Sequence, residues 1–249
     1  MCDQCKAEGA GLRRRLDRRR ALALGAGLGA ACLAGSFPAR ADDAGGKAPP
    51  KPQNVVSAEE ALARLMEGNA RYVAGLAKRH DFLAEREALV GGQNPFAGIL
   101  SCADSRIAPE LAFDTGRGDL FVCRVAGNFV DPENLASFEY AVDVLKTPFL
   151  MVLGHEACGA VKATVSAIVD KVTLPGHLPE LVAAIGPAVE AVANQPGDIL
   201  VNATLENVRR NVEILKSATP ILSAAVNDGR LRVVGGLYRL TTGQVELLA

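Results

Sequence analysis

The chain has no tryptophan, and aromatic residues of all kinds make up only 4% of its 249 positions. Its interior therefore cannot be built on large rings. With 49% of the residues hydrophobic, the core has to come mostly from Ala, Val and Leu. Net charge is also lacking, since 27 basic residues against 28 acidic ones leave a formal charge of −1. No Lys/Arg cluster lies outside the amino terminus, which excludes the electrostatic footprint of a nucleic-acid binder. No apolar run reaches the ~20 residues that span a bilayer, and no segment repeats.

The charge that is present sits unevenly. Arg13, Arg14, Arg15, Arg18, Arg19 and Arg20 precede an uncharged, Ala/Gly/Leu-rich stretch at residues 21–35, which ends at Pro38-Ala39-Arg40-Ala41. A basic region, a short apolar region and an Ala-x-Ala site compose an export signal over residues 1–41, with cleavage expected after Ala41. Asp17-Arg18-Arg19-Arg20-Ala21-Leu22 resembles a twin-arginine signal, although Ala21 stands where a bulky residue often follows the pair. That pathway carries folded proteins, so a metal could be loaded before the thiols reach an oxidising compartment. The expected destination is the periplasm or the medium; an ordinary secretion signal or an uncleaved anchor is the alternative. Cys32 lacks the branched apolar residue upstream that a lipid anchor favours. Cys2 and Cys5 have no second pair nearby to complete a zinc ribbon. Cleavage leaves 19 basic and 25 acidic residues, a net acidic chain.

Residues 42–54, rich in Gly, Pro, Lys and Asp, read as a flexible linker, and residues 55–249 as one domain. Ser57-Ala58-Glu59-Glu60 is a capping box, and Ala61, Leu62, Leu65, Met66, Asn69, Tyr72 and Val73 recur at helical spacing. A second helix is expected over residues 81–90. Apolar runs near 97–101, 120–125 and 149–153 alternate with helix-like stretches at 132–145 and 159–169. This is the βαβ pattern of an α/β fold, a mainly parallel β-sheet flanked by helices. Residues 183–193 and 203–218 read as helices, the latter with Leu205, Val208, Val212 and Leu215 on one face. Strands at 231–237 and 245–248 close the chain. Cys123 reads as a buried small hydrophobe in its strand.

Two short stretches carry the chemistry, Ser101-Cys102-Ala103-Asp104-Ser105-Arg106 and Gly154-His155-Glu156-Ala157-Cys158-Gly159. Each follows an apolar run with the length of a buried strand and precedes a helix-like segment. Side by side in a parallel sheet, the two strands would bring both stretches to its carboxyl end, where open α/β folds build ligand sites. Cys102, His155 and Cys158 would then converge. Two thiolates and one imidazole suit Zn2+, one per chain, and three protein ligands leave the fourth tetrahedral position for water. Asp104 would lie near the ion, and Arg106 could hold it ionised through forked hydrogen bonds.

At these residues the chain resembles the β-class carbonic anhydrases, whose signature is Cys-x-Asp-x-Arg followed some fifty residues later by His-x-x-Cys. Here 52 residues separate Cys102 from His155. Residues 118–128 and 154–161 are also similar to the family, and the resemblance covers roughly residues 55–249. It implies reversible hydration of carbon dioxide to bicarbonate and a proton. Zinc would lower the pKa of a bound water from about 16 towards 7, and the hydroxide would be oriented by the Asp104/Arg106 pair. The Gly159 N–H would hold substrate oxygen. The resemblance further implies a homodimer or homotetramer in which the amino-terminal helices pack against a partner; a helix packed on its own domain is the alternative. In some members the aspartate displaces the water as a fourth ligand, a state associated with a bicarbonate pocket that uses a tryptophan. With no Trp, this chain is expected to keep the open form at neutral pH. It also lacks the glutamine that plant-type members carry near residues 114–118.

Other readings use fewer of these groups. A thiol nucleophile with its base leaves the second cysteine idle, and a closed structural zinc lacks a fourth Cys or His. A carbonyl sulfide or carbon disulfide hydrolase on the same scaffold, or a non-catalytic zinc-binding protein, stands as the alternative. His80 and His177 read as ordinary surface residues rather than proton shuttles.

Overall fold

The computed structural model describes residues 54–248. The export signal, and all of the expected linker but its last residue, lie outside them. The described elements, in order, are α1 (Ala58–Val73), α2 (Phe82–Leu89), β1 (Ala97–Ser101), α3 (Pro109–Ala112), β2 (Leu120–Arg124), α4 (Pro132–Asp143) and β3 (Phe149–His155). They continue with α5 (Gly159–Val169), α6 (Leu178–Val192), α7 (Ile199–Ser217), α8 (Ile221–Asn227), β4 (Arg232–Tyr238) and β5 (Val245–Leu248).

Five strands form one sheet in the order β2-β1-β3-β4-β5, parallel throughout except for the antiparallel β5. From β1 the chain moves outward to β2, then crosses back over β1 to lay down β3 on its other side. Strand order therefore reverses between β1 and β3, and the crevice at their carboxyl ends is where a ligand site belongs. Every residue of β1 and β3 is buried, as continuous apolar strands covered on both faces should be.

Alternation along the strands divides the core. Ile99, Met151 and Leu153 meet Leu65 of α1 and Phe113 on one face. Leu100, Leu150 and Val152 meet Phe138 of α4 and Val208 and Leu215 of α7 on the other. A third cluster lies around the strand ends, where Cys102 and Cys158 pack with Val161 of α5, Ile185 and Val189 of α6 and Ala203 of α7. The site thus has an apolar wall of its own.

The expected helices and strands are present, with two short helices, α3 and α8, that periodicity did not show. The capping box is half made. Ser57 Oγ accepts the Glu60 N–H at 3.2 Å, but the Glu60 carboxylate goes forward to Arg64 at 2.6 Å. α1 buries Ala61, Leu65, Gly68 and Asn69 against its own domain, while Tyr72 and Val73, at the end of the expected stripe, are exposed. Asn69 ties the helix down, donating to Ala112 O and Gly243 O and accepting from Val245 N. In α7 the buried face is rotated from the expected one. It takes in Asn207 and Asn211 and leaves Leu205 half-buried. Cys123 is half-buried rather than buried, because β2 is an edge strand. Among the described residues no helix is long and apolar enough to cross a membrane.

Candidate metal centre

β1 and β3 pair in a register that sets Ser101 opposite Leu153. One step further along each strand, Cys102 leaves β1 beside the end of β3, where His155 is the last residue. Three residues on, Cys158 is the N-cap of α5. The two sulfurs stand 3.9 Å apart, and the ligand atoms of Cys102, His155 and Cys158 all lie within 4.8 Å of one another. All three residues are buried.

The atoms are prepared for an ion. His155 Nδ1 lies 2.8 Å from the Glu156 carbonyl, which as an acceptor fixes the proton on Nδ1 and turns the Nε2 lone pair inward. That Nε2 is buried with no hydrogen-bond partner, an arrangement costly to a protein unless something is bound there. The Cys102 thiol is pulled down to about 4, first by its pairing with Cys158 and further by the Gly127 N–H, against the opposing effect of burial. The shift favours the thiolate, the form a metal ligand requires. The Cys158 thiol is pushed up by that same pairing and by burial, while the Val161 and Ala160 N–H groups of α5 work the other way. Two cysteines and one imidazole, clustered and buried, can coordinate a metal ion such as zinc.

Asp104 and Arg106 lie at the rim. Arg106 donates from Nε to Asp104 Oδ1 at 2.9 Å and from Nη2 to Oδ2 at 2.7 Å, and its backbone N–H reaches Oδ1 at 2.9 Å. The arginine's hydrogen bond, with the backbone one behind it, holds the Asp104 carboxyl well below the usual carboxylate range despite some burial. Asp104 Oδ2 is 3.9 Å from His155 Nε2. Arg106 Nη2 also donates to the Ala157 carbonyl at 3.2 Å. Ala157 has φ +51°, a left-handed conformation that costs a residue with a Cβ roughly 1 kcal/mol and turns its carbonyl to the arginine. Gly159 opens α5, with nothing within 4 Å of where a Cβ would stand. Open space thus lies over the first turn.

Several supporting residues carried no role in the sequence reading. Arg124, at the end of β2, donates to the carbonyls of Cys102 at 2.9 Å, Asp104 at 2.8 Å and Ile107 at 2.9 Å, so one guanidinium shapes the whole first loop. Gly127 donates its N–H to Cys102 Sγ at 3.2 Å. Arg239 bonds Glu156 at 3.0 Å and Glu246 at 2.6 Å, fastening the turn between His155 and Cys158 to the β4–β5 hairpin. The available signal was the Arg124-Val125-Ala126-Gly127-Asn128 run after a strand, which marks a loop but names no contact. His80 pairs with Glu85 at 2.7 Å and stacks on Phe82, so it is engaged rather than an ordinary surface residue. His177, the N-cap residue of α6, is exposed.

Comparison with known proteins agrees with this geometry. The family model described as carbonic anhydrase matches residues 97–245. Carbonic anhydrase 2 of Mycobacterium tuberculosis is 38% identical over 195 residues, covering 78% of this chain and 93% of that protein. The carbonic anhydrase of Mycolicibacterium smegmatis is 39% identical over 196 residues, again covering 78% and 93%. Among solved structures, the β-carbonic anhydrase CcaA superposes with a TM-score of 0.58 at 28% identity, covering 76% of this chain and 95% of that one.

Proposed function

Because the chain belongs to the β-class carbonic anhydrases and is an enzyme of that type, we propose that it catalyses the zinc-dependent reversible hydration of carbon dioxide to bicarbonate and a proton. The observation that carries this reading is the convergence of two thiols and an imidazole beside a carboxylate gripped by a forked arginine. Cys102, His155 and Cys158 would hold one zinc ion per chain. Bound there, zinc supplies a Lewis acid that makes water a nucleophile at neutral pH.

The remaining steps belong to the protein's own groups. Asp104, kept ionised, can only accept hydrogen bonds. Its Oδ1 takes two bonds from Arg106, whereas Oδ2 takes one and faces His155. Oδ2 therefore keeps a lone pair towards His155, from where it could accept the O–H of a water in the site and so orient that water towards CO2. Arg106 positions Asp104. The Gly159 N–H, in the first turn of α5, would hold a substrate oxygen. The same fork favours the open form, since Arg106 must let go before Asp104 can become a fourth ligand.

Assembly as a homodimer or homotetramer is supported by an apolar surface next to α1. A cavity of about 550 Å³ is lined by Tyr72, Phe82, Leu111 and Leu120, and Leu76, Phe82, Leu83 and Leu111 are each at least 60% exposed, more than isolated surface residues would explain. Export to the periplasm or medium, through the twin-arginine route, rests on the basic and apolar pattern of residues 1–41. Fractionation of cells carrying Arg18→Lys/Arg19→Lys would test that route.

The test of activity is stopped-flow CO2 hydration on the chain lacking residues 1–41, with zinc measured on the same sample and carbonyl sulfide and carbon disulfide assayed in parallel. Hydration proportional to bound zinc is expected. Stoichiometric zinc with turnover only of the sulfur gases would replace the substrate.

A further inference from the structure

A chain of hydrogen bonds reaches Cys102 from α7, far along the sequence from either ligand stretch. We infer that Asn207, oriented by Asn211, is a positioning residue for the metal centre: by holding the Gly127 carbonyl it fixes the backbone angles of Gly127, and through them the direction in which the preceding peptide's N–H points at the Cys102 sulfur. This rests on the reading of Cys102 as a metal ligand.

The loop between β2 and α4 is in an uncommon conformation. Gly127 has φ +91° and Asn128, a residue with a Cβ, has φ +42°. Glycine is favoured by the backbone angle, and a Cβ at Gly127 would stand 2.4 Å from Ile185 Cδ1, so that side chain of α6 would have to move. Two successive left-handed residues do not hold themselves in place, and the loop is pinned from outside. Asn207 Nδ2 donates to the Gly127 carbonyl at 2.8 Å, and Asn211 Oδ1 accepts the Val130 N–H at 2.7 Å. Just ahead of these two anchors along the chain, the Gly127 N–H meets Cys102 Sγ at 3.2 Å.

Asn211 also decides which way Asn207 faces. Its Nδ2 donates to Asn207 Oδ1 at 3.1 Å and to the Asn207 carbonyl at 2.7 Å. With the oxygen of the Asn207 amide taken, the NH2 end is left for Gly127. Residues four apart on a helix share a face, so a single helical face presents both amides. Asparagine is a poor helix former and costs free energy to bury. Both of these are nonetheless no more than 3% exposed, on a face where leucine would suit helix and core better. Their bonds to the loop account for them. An N–H aimed at a thiolate ligand draws charge from the sulfur and fixes its direction, the kind of outer contact that tunes a metal site.

The experiment uses Asn207→Asp, which keeps the shape and removes the donor, on protein loaded with zinc or with cobalt. Zinc release to a chelator should become about 10- to 100-fold faster, and the sulfur-to-cobalt charge-transfer band should shift. Val212→Ala, on the same helix within the main core, should lower stability but leave release rate and band at their wild-type values. If Asn207→Asp folds and shows wild-type release and spectrum, the inference is overturned. Should it not fold, Asn211→Ser must give the same changes at smaller amplitude, and unchanged values there overturn it equally. Neither readout requires turnover, so failure of CO2 hydration alone would strike the proposed function and leave this inference standing.

Discussion

Ser101 and Leu153 are register partners in neighbouring parallel strands, and that pairing is why Cys102 and Cys158, 56 positions apart in the chain, bring their sulfurs to 3.9 Å. Both strands are buried along their whole length. A slip of one residue would turn every apolar side chain to the opposite face, so the packing of the two faces fixes the metal centre at their end.

Asp104 should be needed for turnover and not for metal. Asp104→Ala is expected to keep one zinc per chain, measured by elemental analysis, while CO2 hydration falls about 100-fold or more. Loss of zinc in step with activity would instead make Asp104 a ligand.

Removal of the ion should abolish hydration, and added zinc should restore it. The ion should also stabilise the fold, by about 3 kcal/mol at a free concentration some 100-fold above its dissociation constant. A calorimetric midpoint that does not move on chelation would show that the three ligands do not hold a metal.

Asp114 joins α1 to the α3 region. Its side chain is buried, accepts Arg71 Nε at 2.5 Å and the Lys78 N–H at 2.8 Å, and its carboxyl is lowered because these partners outweigh the burial that would raise it. A carboxyl lowered in the folded state stabilises above its unfolded pKa of about 3.9 and loses that contribution as pH falls through the folded value. Asp114→Asn, which tolerates the φ of +46°, should therefore cost about 2 kcal/mol at neutral pH. In urea titrations the gap to wild type should close as pH drops below about 4. A gap independent of pH would show that shape alone matters at this position.

Gly68 marks where α1 meets the segment after α3. A Cβ there would stand 1.8 Å from the Phe113 carbonyl oxygen, a backbone atom that cannot rotate away. Gly68→Ala should destabilise by about 2 kcal/mol or more, read as a lower denaturant midpoint at unchanged slope, despite alanine's better helix propensity. An unchanged midpoint would mean that α1 shifts freely on the domain.

Much of this protein was legible in its sequence. Cys102, Asp104, Arg106, His155 and Cys158 could be picked out because metal chemistry restricts which side chains can serve and local geometry restricts their spacing, and the fold brings these side chains together. The strands were plain from apolar runs near residues 97–101 and 149–153, since a strand covered on both faces can carry little else, although the second runs on to His155. Tertiary structure decided which face of α7 turns inward. Hydrophobicity put Leu205 there, but Asn207 and Asn211 are buried instead, because one end of each amide found a partner in the loop of Gly127 and Val130 and the other ends bond each other. It also decided what Arg124 and Gly127 do, since their partners are backbone atoms and a sulfur that converge only when β1, β2 and α7 are packed. Side-chain chemistry and local periodicity are written along the chain, whereas the aim of a peptide N–H is set by everything that holds the peptide, and most of that comes from elsewhere in the fold.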